Sequence, residues 1–180
     1  MQRRQIILTA ITVGAGIVSG TALATRAKPT KPALGDVLVH AFGKRSGDIL
    51  SPADVGCQTV FAFAMGVDGT VKSGSLHNQV TLLKLDEGAM SEKTKRFATG
   101  PYVAISSACT HTGCEVSGWL ARDNELECPC HGSRFDVLNA ARVVNGPATK
   151  PLAYLPIELR DERFYVTGRF SRRVGPEPTF

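Results

Sequence analysis

The chain has 180 residues, of which 43% are apolar, and it carries 21 Lys and Arg residues against 16 Asp and Glu residues. This length and apolar content are enough for one globular domain with a short appendage. The basic residues form no run interleaved with aromatic side chains, and three Tyr and one Trp offer few stacking platforms, so we expect no nucleic-acid partner.

Residues 1–24 have the pattern of an export signal. Arg3 and Arg4 precede an uncharged run over residues 6–24, which ends in Ala22-Leu23-Ala24, a small-residue site of the kind that signal peptidase cleaves. A helix over residues 6–24 would span about 28 Å, so the run is also long enough for a membrane tether. The two arginines resemble a twin-arginine signal, but an ordinary secretory signal fits this segment as well.

Residues 25–35 are rich in Pro and Lys and predict a linker that leads into one folded domain over residues 36–180. Short stretches of alternating or β-branched residues then predict a succession of strands. In chain order we expect these strands at Val37–His40, Thr59–Met65, Gln79–Leu85, Tyr102–Ser106, Leu152–Leu159 and Arg163–Phe170. The pattern predicts an all-β sandwich or barrel.

Three local features refine this prediction. Period two in the second of these strands places Phe61, Phe63 and Met65 on one face. Asp68-Gly69 predicts a hairpin turn. Asp86–Lys95 is the one segment with a helical composition.

Two short loops combine cysteine with histidine. Loop one is Cys109-Thr-His111-Thr-Gly-Cys114, and loop two is Cys128-Pro-Cys130-His131-Gly-Ser133. Between them, Gly118–Leu120 and Leu126–Glu127 flank a turn and predict a hairpin that brings the loops together. Each loop therefore offers one thiolate and one imidazole to a shared site.

The residues alone leave several kinds of site open. A tetrahedral zinc site uses two Cys and two His ligands, although zinc fingers group like ligands together, whereas each loop here supplies one of each. A redox-active dithiol would need Cys-x-x-Cys, and the nearest pair is Cys128-x-Cys130. Purely structural disulfides would leave both histidines without a role. A binuclear cluster with two cysteines on one iron and two histidines on the other requires each loop to reach both irons.

The paired motifs C-x-H-x-x-C and C-x-C-H-G-S resemble the Rieske family over Cys109–Asp136, and the likeness continues at Gly146-Pro147-Ala148. The resemblance implies the Rieske fold, in which an antiparallel β-sandwich or barrel base carries a small cluster-binding subdomain of two loops, here about residues 105–149. It also implies one [2Fe–2S] cluster. Its expected ligands are Cys109 and Cys128 on the buried iron and His111 and His131 on the outer iron.

The resemblance further implies a disulfide between Cys114 and Cys130, which ties the two loops together in respiratory and periplasmic members. Disulfides persist in oxidising compartments, so this pair and the export signal both indicate the periplasm. Residues 6–24 would tether the domain to the inner membrane if the signal is not cleaved after Ala24. Because twin-arginine export carries folded proteins, insertion of a cluster in the cytoplasm favours that signal over an ordinary secretory one. Cys57, outside both loops, is expected to be a buried free thiol.

Five further residues are expected to tune or shield the cluster. By the resemblance, the Ser133 hydroxyl donates to a bridging sulfide and raises the potential, whereas Phe135 replaces a Tyr of quinol-oxidising relatives and lowers it. Thr112 stands where many respiratory members have Leu. Gly132 precedes Ser133 as in cytochrome bc members, and Pro147 belongs to a loop that covers the third side of the cluster.

The sequence contains no nucleophile constellation, phosphate loop or flavin motif, so we expect an electron-transfer subunit of an oxidoreductase without a substrate site of its own. Phe135 and the twin-arginine-like signal favour the small subunit of a periplasmic oxidoreductase, resembling the Rieske subunit of arsenite oxidase. The alternative is the Rieske subunit of a quinol-oxidising cytochrome bc complex, and a more distant one is a zinc-bound interaction module. The redox partner would be a large catalytic subunit or a cytochrome.

Overall fold

The computed structural model describes residues 30–178, so the predicted export signal (1–24), and the predicted linker as far as residue 29, lie outside the described residues. In the described part, no helix is both long and apolar enough to cross a membrane. The last residues of the predicted linker pack on the domain. The side chain of Asn78 donates to the Thr30 carbonyl at 3.0 Å, and the Gly35 N–H donates to the Val166 carbonyl at 2.8 Å.

Within residues 30–178 the chain forms eleven strands in two antiparallel sheets. In chain order they are β1 (Val37–His40), β2 (Val60–Met65), β3 (Val80–Lys84), β4 (Tyr102–Ser106), β5 (Gly118–Leu120), β6 (Glu125–Cys128), β7 (Ser133–Asp136), β8 (Arg142–Asn145), β9 (Tyr154–Leu155), β10 (Ile157–Arg160) and β11 (Arg163–Val166). The larger sheet has the order β10-β11-β1-β2-β3-β4-β9, and the smaller has the order β5-β6-β7-β8.

The larger sheet curls into a nearly closed barrel. Its two edge strands, β9 and β10, lie at opposite ends of the strand order, yet Pro156 alone separates them along the chain. The edges must therefore approach each other. Proline has no N–H to donate to a strand ladder, so it ends one strand and starts the next. The prediction of one strand over Leu152–Leu159 was therefore wrong, because the chain forms two strands, β9 and β10, on either side of Pro156.

Strand β2 confirms the predicted alternation. Phe61, Phe63 and Met65 share one face and pack with the outer apolar residues of β1. Ala62 and Ala64 on the opposite face belong to the main barrel core. Small side chains thus face the barrel interior, and the large ones form a second cluster outside it.

The predicted helical segment Asp86–Lys95 was only partly right, because the chain forms a 3-10 turn over Glu87–Ala89 and a short helix α1 over Glu92–Lys95. The Asp86 side chain caps the first turn and the Ser91 side chain caps the second. Two N-terminal caps five residues apart start two separate turns. The other 3-10 turns of the described chain are Gly43–Arg45, Pro52–Asp54 and Leu76–Asn78.

The smaller sheet packs beside the barrel through a shared apolar core. Leu126 and Phe135 from this sheet and Tyr154 from β9 are all buried in one cluster. The Tyr154 hydroxyl donates to the Val137 carbonyl at 2.7 Å, which fixes the two units to each other. The predicted all-β fold with a two-loop subdomain is confirmed, as is the hairpin of β5 and β6.

Candidate metal centre

Loop one is a tight turn between β4 and β5. The Cys109 N–H donates to the Cys114 carbonyl at 2.8 Å, and the Gly113 N–H donates back to the Cys109 carbonyl at 3.0 Å. Gly113 has a φ of +86°, a left-handed conformation that glycine adopts at little cost. The turn holds Cys109 at its base and His111 at its crest.

Loop two joins β6 to β7. Cys128 is the last residue of β6 and faces Ser133, the first residue of β7, across the ladder. The Gly132 N–H donates to the Cys128 carbonyl at 3.0 Å, and Gly132 has a φ of +69°. This short connection places His131 at the exposed crest of the loop.

The two thiols that are expected to bind iron lie side by side in the apolar core. Cys109 and Cys128 are each 1% exposed and belong to the same cluster as Phe135. Burial raises the pKa of the Cys128 thiol, and hydrogen-bond contact with Cys109 raises it further. Two buried thiolates side by side would be costly without a cation, so this pair fits metal ligation.

The two histidine rings contact each other. Their ring centroids are 4.7 Å apart, and the rings are nearly perpendicular at 88°. His131 is exposed, whereas His111 is half-buried, and its Nδ1 atom is buried with no hydrogen-bond partner among the described residues. Buried ring nitrogens are ordinarily paired, so an Nδ1 without a protein partner fits a metal ligand.

The four predicted donors fall into two pairs, thiol with thiol and imidazole with imidazole. Four zinc ligands at about 2.0–2.3 Å from one ion would lie within roughly 4 Å of one another. Across residues 30–178, the close group of potential ligands contains Cys114, Cys128 and Cys130, whose Sγ atoms lie within 4.8 Å, and neither histidine. Two of these sulfurs are joined to each other and cannot act as thiolates. A donor set spread over two loops suits two irons better.

The predicted disulfide between Cys114 and Cys130 is present, with Cα atoms 6.5 Å apart. This separation lies within the usual range for a disulfide. The bond joins the end of loop one to the middle of loop two. Thr112 is exposed at the crest of loop one, and its hydroxyl lies 3.8 Å from Cys114 Sγ.

The predicted proline loop closes against loop two. Gly146 has a φ of +81°, and a Cβ there would lie 2.5 Å from Ser133 Cα. The Ala148 N–H donates to the Ser133 hydroxyl at 3.1 Å, while Pro147 is exposed. The side chain of Asn145 donates to the Gly132 carbonyl at 3.2 Å. Sequence reasoning missed Asn145, although an amide beside Gly-Pro is a common turn signal.

Two contacts on loop one were also missed. The Thr110 hydroxyl donates to the Lys150 carbonyl at 2.6 Å. Pro176, from the C-terminal tail, packs against Gly113, where a Cβ would lie 3.5 Å from its Cδ. Both contacts join residues distant in the chain, and no local pattern could have indicated them.

Cys57 is exposed, so the prediction of a buried thiol was wrong. It lies in an exposed stretch between the turn Pro52–Asp54 and the start of β2. At that point the chain has no alternating pattern to turn the side chain inward.

Comparison with known proteins places this site in a family. The protein-family model for the Rieske [2Fe-2S] domain matches residues 68–156 of this chain. The cytochrome bc1 complex Rieske iron–sulfur subunit of Streptomyces lividans is 30% identical over 159 residues, which cover 84% of this chain and 91% of the relative. The chain belongs to the Rieske [2Fe–2S] family, and the predicted cofactor, one [2Fe–2S] cluster, is confirmed by that membership.

Other relatives match over shorter stretches. The bc1 Rieske subunit of Corynebacterium diphtheriae is 39% identical over 105 residues, 55% of this chain, but the match spans only 26% of that relative's length. A putative respiratory nitrate reductase Rieske subunit of Haloferax mediterranei is 40% identical over 97 residues, covering 53% of this chain and 43% of the relative. The crystal structure of a plasma-membrane Rieske protein from Synechocystis PCC 6803 is 21% identical, with a TM-score of 0.45, covering 67% of this chain and 97% of that one.

Proposed function

We propose that this chain is the Rieske iron–sulfur subunit of a quinol-oxidising cytochrome bc complex and carries single electrons through its cluster. The observation that carries the proposal is the pair of buried thiols, Cys109 and Cys128, on the same two loops as the two imidazoles that contact each other. The bc1 Rieske subunit of Streptomyces lividans, which aligns over almost its whole length, supports this context. The relatives thus favour the alternative prediction over the arsenite-oxidase-like one.

In this proposal the four ligands divide by depth. Cys109 and Cys128 hold the inner iron inside the apolar core, where water is excluded. His111 and His131 hold the outer iron and present their ring edges to a partner. When bound, the cluster supplies one-electron oxidation and reduction, with potentials of about −150 to +300 mV for His-ligated centres.

Residues next to the ligands, rather than the ligands alone, would set the reduction potential of the cluster. The Ser133 oxygen already accepts the Ala148 N–H, so its own hydrogen is free to point at the cluster. Phe135 is fully buried in the same core as the two thiols and has no hydroxyl to offer. We therefore propose an intermediate potential, raised by Ser133 and left lower by Phe135 than in relatives with Tyr.

The same proposal covers location and partners. Export through the signal at residues 1–24 would place the domain in the periplasm, and residues 6–24 would tether it to the inner membrane. The disulfide at Cys114–Cys130 supports an oxidising compartment. The electron acceptor would be a cytochrome subunit of the complex.

A second context, the small subunit of a periplasmic oxidoreductase, is favoured by Phe135 and by the Rieske relative from Haloferax mediterranei. Affinity purification of the tagged full-length chain from native membranes in mild detergent distinguishes the two. We expect co-purified b-type haem, seen in reduced-minus-oxidised spectra, and no molybdenum. Molybdenum without haem would contradict the bc proposal and support the second context.

A matched control tests the export route in the same experiment. Replacing Arg3 and Arg4 by Lys keeps the charge but removes the paired arginines. If the signal is of the twin-arginine type, the variant stays in the cytoplasm and purifies without haem. Unchanged export would assign the segment to the ordinary secretory route.

A further inference from the structure

A basic cavity of about 610 Å³ lies where the first described residues meet the C-terminal tail. Its lining includes the apolar residues Phe170 and Pro32, and no acidic residue. Five side chains that carry or can carry positive charge surround it: Lys31, His77, Arg169, Arg172 and Arg173.

The cations of the basic cavity form no direct salt bridge within the described chain. None of the ion pairs among residues 30–178 involves Lys31, Arg169, Arg172 or Arg173. The acid of the adjoining tail, Glu177, is paired with Lys150, and the charge of Arg173 also helps to lower the pKa of this carboxyl. Four permanent cations around one cavity repel each other, and the attraction of an anion bound among them would offset this repulsion.

The walls of the basic cavity are held in place by specific contacts. Asn78 is buried, and its amide donates to the carbonyls of Thr30 at 3.0 Å and Lys72 at 2.9 Å, which fixes the backbone next to Lys31. Gly175 lies against the His77 ring so closely that a Cβ there would be 2.7 Å from Nε2. These contacts fix the backbone beside Lys31 and the position of the His77 ring, whereas the side chains of Lys31 and the three arginines are exposed and reach the cavity from its rim.

The position of the basic cavity in the chain points to the class of anion. Residues 25–30 connect Lys31 to the apolar run over residues 6–24, and six residues span at most about 20 Å. A tethered chain would thus keep this cavity within reach of phospholipid headgroups. Arginine forks bind phosphate with two parallel hydrogen bonds, and the apolar Phe170 side chain in the lining suits the glycerol and acyl part of a lipid.

We propose that the basic cavity binds the phosphate of an anionic phospholipid headgroup. The proposal rests on the membrane tether of the proposed function. It has a consequence for the cluster, because Pro176, three residues after Arg173, packs against Gly113 in loop one. A bound headgroup would hold this tail, and with it loop one, beside the membrane surface.

The test is a calorimetric titration of the full-length, cluster-loaded chain in a neutral maltoside detergent. The titrants are dihexanoyl-phosphatidylglycerol and dihexanoyl-phosphatidylcholine, each below its micellar concentration, with glycerol 1-phosphate as a soluble phosphate. The variant R169Q/R172Q/R173Q removes three charges of the cavity. The control K84Q/R122Q/R163Q removes three exposed charges elsewhere that are not ion-paired in the described chain.

We expect the anionic lipid to bind about tenfold more tightly than the neutral lipid or glycerol 1-phosphate, and more weakly at higher salt. The cavity variant should lose about tenfold in affinity, and the control should stay within about twofold. Visible spectra check that both variants keep the cluster. If the triple variant does not fold, the milder change Lys31→Gln replaces it in the test. We expect this variant to bind the anionic lipid about threefold more weakly than the wild type.

Four results would overturn the proposal. Equal affinity for the two lipids, or for the wild type and the cavity variant, would exclude a headgroup site. Equal binding of glycerol 1-phosphate would assign the cavity to a soluble phosphate ester, and absence of any binding would show that the cavity is no phosphate site. Each result is independent of haem co-purification, so failure here is distinct from failure of the bc proposal.

Discussion

The Ser133 hydroxyl accepts a hydrogen bond from the Ala148 N–H at 3.1 Å and is completely buried beneath the predicted proline loop. This contact joins loop two to the loop that covers it. Because the oxygen is already an acceptor, its hydrogen is the atom left to interact with the cluster. We therefore propose that Ser133 links the position of the proline loop to the potential of the cluster.

Substitution of Ser133 by Ala should lower the midpoint potential. A donor stabilises the reduced, more negative cluster, and a hydrogen bond to a charged group contributes about 1.5–3 kcal/mol. We expect a fall of about 60–130 mV for a one-electron couple. Redox titration followed by EPR measures it, and a midpoint equal to that of the wild type would show that the hydroxyl serves only the backbone of Ala148.

Substitution of Phe135 by Tyr should have the opposite effect. The ring lies in the same core cluster as Cys109 and Cys128, and by the family resemblance a Tyr hydroxyl at this position bonds a ligand sulfur. A net contribution of about 1 kcal/mol would raise the midpoint by about 40 mV. Phe42→Tyr, on the exposed outer cluster of the barrel, is the control and should leave the midpoint unchanged. An unchanged midpoint in both variants would refute the tuning argument.

Removal of the disulfide should loosen both loops. The double variant C114S/C130S opens a covalent loop of sequence separation 16, which is worth about 3 kcal/mol in the chain-entropy model. We expect faster loss of visible absorption on mild heating and a lower unfolding midpoint. Cys57→Ser is the matched control, because this exposed cysteine makes no disulfide. Equal cluster lifetimes in the double variant and the wild type would argue against a bracing role.

Gly146→Ala should lower the unfolding free energy by more than the left-handed φ of this position alone explains. Its Cβ would lie 2.5 Å from Ser133 Cα and 2.7 Å from Ser133 N, and these backbone atoms cannot rotate away. Gly69→Ala is the control, since Gly69 has a similar φ of +77° but no atom within 4 Å. The control should cost about 1–2 kcal/mol in unfolding free energy, and Gly146→Ala clearly more. Equal losses of unfolding free energy in the two variants would mean that the proline loop shifts to accommodate the added methyl group.

Asp54 should make the barrel sensitive to acid. Its burial opposes ionisation, but hydrogen bonds from Arg45 and Ser51 outweigh burial and lower its pKa from 3.8 to about 2. Since the folded pKa lies below the unfolded one, this contribution is complete above about pH 5 and is lost as the pH falls through 4 towards 2.

Asp54→Asn should therefore flatten the fall in unfolding free energy over that range by about 2 kcal/mol. Denaturant titrations at a series of pH values measure the slope. Asp48→Asn removes an exposed partner of the same Arg45 and should leave the slope unchanged. A wild-type slope in the Asp54 variant would contradict the assignment.

The sequence predicted the site better than its surroundings. Loops one and two could be recognised because metal ligands must stand at fixed short spacings, and the disulfide followed from the family resemblance. Strand β4 matched its predicted bounds, since Tyr102–Ser106 is a continuous buried run between turns. Local patterns of this kind are sufficient where the chemistry itself is local.

The remaining features depend on contacts between distant parts of the chain. Tyr154 binds the Val137 carbonyl, and Pro176 covers Gly113, through tertiary packing that no short window contains. The exposure of Cys57 likewise depends on where β2 begins. Lys31 lies near the start of the described chain, and Arg172 and Arg173 lie near its end. These residues line one cavity because the nearly closed barrel brings the two ends together.

The most direct test of the account is pulsed EPR of the reduced full-length chain, combined with iron and zinc analysis. We predict two irons and no zinc per chain. Nitrogen hyperfine couplings from two histidines should change when the protein carries ¹⁵N-labelled histidine, and one coupling should disappear in His131→Cys. One zinc without iron, or a [2Fe–2S] signal without histidine nitrogen couplings, would contradict ligation by Cys109, His111, Cys128 and His131.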